Sequence, residues 1–174
     1  MSPVPCAIFA PVNRVIPGSM LRRLALLALC LTGCSRESSD VDSDKELLVP
    51  LIKIAAGQEA GWISTQKEVK AAPVPFLVNI EFVSDPRYEG KSVEEALALL
   101  PADYPHDFVF LADERSVSEA GHPCLAVDLI GEKRNRFRSA AKHLASIENN
   151  LSLSNMEFEA FEKASKATGV YQGL

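Results

Sequence analysis

Cysteine is scarce in the part of the chain that can form a folded domain. The sequence has four cysteines, Cys6, Cys30, Cys34 and Cys124, and only Cys124 lies beyond position 34. A lone thiol excludes an intramolecular disulfide within that part of the chain. Its apolar neighbours, in PCLAVDLI (123–130), indicate a small buried hydrophobic side chain rather than a reactive one.

The residue patterns of common catalytic and cofactor sites are also missing. The sequence has no G-x-S-x-G and no C-x-x-C, and its nine glycines form no phosphate-binding loop. The three histidines are scattered, at His106, His122 and His143. We therefore expect no metal site and no cofactor.

Acidic residues are absent from the first 33 residues, and the opposite imbalance follows. Residues 1–33 contain three basic residues, whereas residues 34–174 contain 15 Lys and Arg against 23 Asp and Glu, a formal net charge of −8. An acidic surface repels phosphate backbones, so nucleic-acid binding is not expected. The overall composition, 47% hydrophobic and 24% charged, is that of a globular protein with one core.

The apolar run near the N-terminus is too short to span a bilayer. Leu24–Leu31 has eight residues, follows two arginines and precedes the small residues Thr32 and Gly33, whereas a spanning helix needs roughly 20. This order of basic, apolar and small residues predicts a signal peptide over 1–33. Pro5, Pro11 and Pro17 interrupt residues 1–19, so Met20 is an alternative start, in which case 1–19 is a start-site misassignment.

The end of the apolar run, Leu31-Thr32-Gly33-Cys34, resembles the lipobox of bacterial lipoproteins. The resemblance implies that the thiol of Cys34 carries lipid, that the chain is cut just before it, and that the acyl chains hold the protein at a membrane of the cell envelope. Ser35 implies the periplasmic side of the outer membrane if the host is Gram-negative. The alternative interpretation is a buried N-terminal helix with a chance cysteine.

Residues 34–45 are polar and charged after the cysteine, which predicts a flexible tether. The rest, 46–174, predicts one α/β domain with a mixed sheet of about five strands and helices packed on it. The predicted strands are 47–54, 76–83, 107–113, 124–130 and 136–138. Pro50 places the first strand towards an edge. About ten residues join the third and fourth strands, too few for a helical crossover, so those two are expected to be antiparallel.

Helical patterns cover 57–70, 92–100, 139–147 and 154–169. Trp62, Ile63 and Val69 form the apolar face of the first. Capping boxes at Ser92 and Ser154 begin the second and the fourth. The remaining positions of interest, Glu148, Asn149 and Asn150, would then follow the end of the third helix, where an Asn can adopt the left-handed conformation that closes it.

Several segments resemble a family of bacterial domains of unknown function that occur in small proteins. They are IEFVSDPRYEG (80–90), EEALALLPADYPHDFVFLAD (94–113), HPCLAVDL (122–129), SIENNLSLSNMEFEAF (146–161) and GVYQG (169–173). The piece with ENNLS and NMEF is the most specific. The resemblance implies a shared fold over most of 47–173 and no particular activity.

This chain departs from that family's pattern at three places. It has IKIAAG (52–57) where members have Thr-Asp-Phe after the first strand, and Ala145 where many have an aromatic residue. It has Tyr171-Gln172 where members have Phe-Arg near their end. Any site that used those family residues is altered here.

The candidate binding residues are Asp113, Arg138, Glu148, Asn149 and Asn150. Asp113 and Asp128 end antiparallel strands and should lie at opposite edges of the sheet, which argues against a catalytic pair. Asp128 is expected to pair with Arg136 or Arg138. The basic cluster at 133–138 is either a solvated hairpin tip or a docking patch for an acidic partner or anionic lipid.

Two functions remain open. The first is a lipid-anchored, non-catalytic domain that binds another protein of the envelope. The second is an uncharacterised envelope enzyme, hydrolase-like, that uses acidic residues of the C-terminal half. A cleft that gathers Arg138 and the three residues 148–150 favours the enzyme, and separation of these residues favours the binding protein.

Overall fold

A five-stranded mixed sheet forms the centre of the fold. The computed structural model describes residues 48–72, 75 and 77–173, so the predicted signal peptide, Cys34 and the tether lie outside the described residues. The strands are β1 (Val49–Lys53), β2 (Ile80–Val83), β3 (Phe108–Ala112), β4 (Cys124–Asp128) and β5 (Arg136–Ser139). Their order is β2-β1-β3-β4-β5, with β1, β2 and β3 parallel and β4 antiparallel to both of its neighbours. The predicted α/β class and the antiparallel pairing of β3 with β4 are confirmed.

Helices cover both faces of the sheet. They are α1 (Glu59–Lys70), α2 (Val93–Ala98), α3 (Glu114–Ser118), α4 (Leu144–Ser152) and α5 (Phe158–Ser165), with a short 3-10 helix at Ala141–His143. Side chains of α1, α4 and α5 share one core with Leu51 and Phe110, and α2 packs against Ile52 and Leu111 on the opposite face. Within the described ranges, no helix has the length and apolar character needed to cross a membrane.

The position of β1 corrects the expectation that Pro50 marks an edge strand, because β1 lies between β2 and β3. N–H groups along a strand point alternately to its two neighbours. The Val49 N–H donates to the Asn79 carbonyl beside β2, so position 50 faces β3, where its partner would be the Phe108 carbonyl. The Tyr104 hydroxyl donates to that carbonyl at 3.0 Å. A side chain thus supplies the donor that proline lacks.

Two expected apolar segments are only partly buried. Ile63 is 58% exposed, and Thr65 takes its place with Trp62 and Val69 on the buried face of α1. The second strand is shorter than expected because it begins at Ile80, and Leu77 before it is 76% exposed. Both errors come from counting every apolar residue as part of a core face.

The third predicted helix continues beyond its expected end. Since α4 runs to Ser152, the residues 148–150 lie inside it and no Asn closes it. Asn150 donates from Nδ2 to the Ser146 carbonyl at 2.8 Å, one turn back. The capping box expected at Ser154 is also wrong, because Ser154 has φ +52° and α5 begins only at Phe158. The capping box between Ser92 and Glu95 is confirmed.

The connection between β3 and β4 contains a helix that the sequence patterns did not predict. Asp113 caps α3 by accepting a hydrogen bond from the Ser116 N–H. The hairpin between β4 and β5 is as expected. Near the C-terminus, Tyr171 forms an isolated parallel bridge with Ser139.

Candidate functional site

The candidate residues lie at two opposite edges of the sheet. Strands β1, β2, β3 and β5 begin at one edge, here called the amino edge, and end at the other, the carboxyl edge. Ligands of open α/β sheets commonly bind at the carboxyl edge, where successive connections switch faces. Here that switch lies between β1 and β3, because α1 and α2 pack on opposite faces.

Asp113 and Arg138 form a closed ion-pair network at the carboxyl edge. Both Asp113 oxygens accept hydrogen bonds from the Arg138 guanidinium, and each side chain is 16% exposed. Arg138 also donates to the Pro123 carbonyl at 2.9 Å. Burial alone would raise the pKa of Asp113, but the hydrogen bonds and charge of Arg138, with hydrogen bonds from Ser116, bring it below its ordinary value.

Asp128 lies at the amino edge, opposite Phe108, which confirms that Asp113 and Asp128 are at opposite edges. The expected pairing of Asp128 with an arginine is wrong. Its Oδ1 accepts from the Ile130 N–H at 2.8 Å, and Arg136 instead pairs with Glu94 at 2.7 Å. The short turn after β4 lets Asp128 satisfy the backbone locally.

Two other groups at the carboxyl edge are also occupied by local contacts. Lys53 is 7% exposed, and its Nζ lies 3.3 Å from Glu59. Cys124 is fully buried, and burial raises the pKa of its thiol to about 12. The predicted burial of Cys124 is therefore confirmed.

Glu148 departs from this pattern of satisfied groups; among the described residues, it and His143 each have a buried side-chain atom without a hydrogen-bond partner. It is 3% exposed, its Oε1 accepts from the Ser152 hydroxyl at 2.9 Å, and its Oε2 has no hydrogen-bond partner. Burial raises the pKa of the carboxyl, and the Ser152 hydrogen bond only partly opposes this. A buried polar atom without a partner is uncommon in proteins and needs an explanation.

Glu148 lines a hollow of about 360 Å³ at the amino edge, here called the Glu148 hollow. The hollow is also lined by the residue before β2, by the segment that leads into β3, and by residues at and just after the end of α4. These residues are Asn79, Pro105, His106, Asp107, Phe108, Leu151, Ser152 and Ser154. His106 donates from Nε2 to the Leu48 carbonyl at 3.1 Å, which orients its ring. The wall is thus mainly hydrogen-bonding groups with a few apolar ones.

A second hollow of about 260 Å³, here called the acidic hollow, adjoins the first. The two share Asp107, Phe108, Leu151 and Ser154, and the acidic hollow adds Asp128, Ile130, Met156, Glu157, Phe158 and Glu159. No Lys or Arg is among the described residues that line either hollow. Together they bring five carboxyl groups to one groove.

The structure separates the residues that the sequence analysis grouped. Arg138 lines a hollow of about 330 Å³ with Arg115 and Glu162, whereas Glu148 lines the hollow at the other edge. Asn149 and Asn150 lie on α4 but line neither hollow at the amino edge.

The sequence analysis did not include His106, Asp107 and Ser152 as candidates. Only their positions in the sequence could have identified these residues. The pair 106–107 directly precedes a buried strand, and Ser152 lies one turn after a Glu on the same helix. Within the described part of the chain, no three His, Cys, Asp or Glu side chains are grouped so as to hold a metal ion.

Comparison with known families assigns the chain to one of them. A family model described as a domain of unknown function (DUF6924) matches residues 48–174, so the chain belongs to this family. No curated protein matches the chain.

Proposed function

Taking membership of this family as the premise, we propose that the protein is a lipid-anchored, non-catalytic domain of the cell envelope that binds a partner protein through its amino edge. The observation that carries the proposal is Glu148, a buried carboxyl with one unpartnered oxygen that lines a hollow. A buried group left without a partner costs about 1–3 kcal/mol. A partner that completes its hydrogen bonding recovers that free energy on binding.

The separation of the candidate residues supports binding over catalysis. General acid–base chemistry needs its groups within hydrogen-bond reach of one substrate. Asp113 and Arg138 are engaged with each other at the carboxyl edge, and Glu148 lies at the amino edge. The enzyme alternative required these residues in one cleft.

The basic hairpin gives less support for docking on lipid. Arg136 is paired with Glu94 and Arg138 with Asp113, which leaves Lys133 and Arg134 as the cations of the exposed tip. The net charge of −8 beyond residue 33 opposes approach to anionic lipid.

A crosslinking pull-down from host membranes tests the proposal. The full chain with a C-terminal affinity tag is compared with a double variant, Asp107→Asn with Glu148→Gln, and with Cys34→Ser. Glu114→Gln is the matched control, since it removes an exposed carboxylate at the carboxyl edge. We expect one partner at near-equal stoichiometry with the wild type and with Glu114→Gln, and several-fold less with the double variant and with Cys34→Ser.

Two results would contradict the proposal. Capture of the partner that is equal in the wild type and the double variant would move the binding surface away from the amino edge. A wild-type protein found in the soluble fraction would refute the lipid anchor.

A further inference from the structure

We infer that the amino edge recognises a Lys or Arg side chain of its partner, and that the cationic group enters the groove formed by the acidic hollow and the Glu148 hollow. This inference rests on the proposed function and names the chemistry of the partner segment. It is carried by a set of carboxyl groups without a cation and by the buried, unpartnered Oε2 atom of Glu148, a residue that lines the Glu148 hollow.

The five carboxyl groups of the groove differ from most others in the domain by having no cation beside them. They are Asp107, Asp128, Glu148, Glu157 and Glu159, and none forms an ion pair with another described residue. Seven other carboxylates of the described ranges are paired, on Glu59, Asp85, Glu94, Glu95, Asp113, Glu119 and Glu162. Carboxylates that share a groove without a cation repel one another, and a cation that enters relieves this repulsion.

The walls of the groove suit a long cationic side chain. Phe108, Leu151 and Met156 contribute apolar surface beside the carboxyl groups. Lys and Arg bury their methylene stems along apolar surface while their charged heads reach polar groups. A metal ion or a small inorganic cation would gain nothing from the apolar wall.

Binding of the cation is coupled to the loss of a proton from Glu148. Without a bound cation, burial raises the pKa of the Glu148 carboxyl above that of an exposed Glu, which favours the neutral form. A guanidinium or ammonium group at hydrogen-bond distance favours the ionised form, so the carboxyl loses its proton to solvent and the Oε2 atom accepts a bond from the cation. His106 and Asp107 before β3 line the Glu148 hollow with it, and Asp128 at the end of β4, with Glu157 and Glu159 at the start of α5, lines the adjoining acidic hollow.

The test uses two capped five-residue peptides, Ala-Ala-Arg-Ala-Ala and the same peptide with citrulline in place of arginine. Citrulline has the shape of arginine but carries no charge. Binding to the full chain in detergent is measured by calorimetry at pH 6 and low salt, in two buffers that differ in their heat of ionisation. The variants are Glu148→Gln and the control Glu114→Gln.

We expect the arginine peptide to bind the wild type and Glu114→Gln about tenfold more tightly than the citrulline peptide, because charge-assisted hydrogen bonds are roughly twice as strong as neutral ones. A heat that depends on the buffer should report the proton released on binding. In Glu148→Gln the preference should fall to about threefold, and the proton release should disappear.

The outcomes separate this inference from the proposed function. Equal binding of the two peptides refutes recognition of a cation but leaves a peptide-binding edge. A preference that persists unchanged in Glu148→Gln places the cation elsewhere and also refutes the inference. If neither peptide binds while the host partner is still captured through the amino edge, the inference fails and the proposed function stands. If the partner is not captured either, both fail.

Discussion

The two edges of the sheet differ in the partners that they give to carboxyl groups. At the carboxyl edge, Asp113 is held by a guanidinium and by the start of a helix. At the amino edge, Glu148 has one hydrogen bond from a hydroxyl and one unpartnered oxygen. At the carboxyl edge, where ligands of such sheets usually bind, Asp113 and Arg138 are engaged with each other, whereas Glu148 at the amino edge keeps one oxygen without a partner. Polar residues that stabilise a fold are satisfied within it, and residues kept for a partner are not.

Removal of the arginine should have the largest effect, because it would leave a partly buried carboxylate at the carboxyl edge without its cation. Arg138→Met strips Asp113 of its cation at a site where both side chains are 16% exposed. We expect a loss of about 3 kcal/mol in the free energy of unfolding, the range seen when one partner of a buried pair is removed. Urea unfolding at pH 7 measures it.

The matched control is Arg115→Met, which breaks the exposed pair with Glu119. Exposed pairs contribute little, so this variant should stay close to the wild type. Similar losses in the two variants would show that the buried network at Asp113 has no special role.

A second strong effect is expected where α1 meets α3. A Cβ atom at Gly61 would lie 2.0 Å from the Val117 carbonyl oxygen. Alanine normally favours a helix over glycine by about 1 kcal/mol, but here the clash is with backbone and cannot be relieved by a rotamer change. Gly61→Ala should therefore lower the free energy of unfolding by about 2 kcal/mol. A gain in melting temperature would show that the two helices can move apart.

The sheet and the contact at Gly61 illustrate, in turn, what could and what could not be predicted from the sequence. The apolar runs of β3 and β4 and the short connection between them are local features, and they predicted the two strands and their antiparallel pairing. The contact of Gly61 with Val117, the Tyr104 hydroxyl at Phe108 and the salt bridge of Arg138 with Asp113 join residues that no local pattern connects.

The candidate site was predicted less well than the fold. Glu148 was identified by its residue type and its place in ENNLS, but α4 was expected to end at Ile147, so the residue was expected at a helix end. A helix continues or stops according to how its last turn packs, and tertiary packing outweighs local propensity there. His106 and Asp107 come to Glu148 only through the fold, because strands β3, β4 and β5 lie between them in the chain.

Acid should affect the two edges in opposite directions, and Asp113→Asn isolates the carboxyl edge. The pKa of Asp113 is lowered in the folded state, so its contribution to stability is present above its ordinary pKa and is lost as the pH falls through the folded value. The variant should be less stable than the wild type by about 2 kcal/mol at pH 7, and the difference should shrink towards pH 3. Thermal unfolding across this pH range measures it. A difference that does not vary with pH would assign the effect to helix capping alone.

Glu148→Gln should have the smallest effect on stability and the opposite sign. The pKa of Glu148 is raised in the folded state, so its contribution to stability is fully present below its ordinary pKa and is lost as the pH rises through the folded value. Glutamine keeps the size of the side chain and cannot ionise. The variant should match the wild type at pH 4 and exceed it by on the order of 1 kcal/mol at pH 8, with the melting temperature as the readout and Glu114→Gln as the unchanged control. A loss of stability at pH 8 would mean that ionised Glu148 is satisfied within the fold, which would remove the difference between the two edges and with it the reason to place the partner at the amino edge.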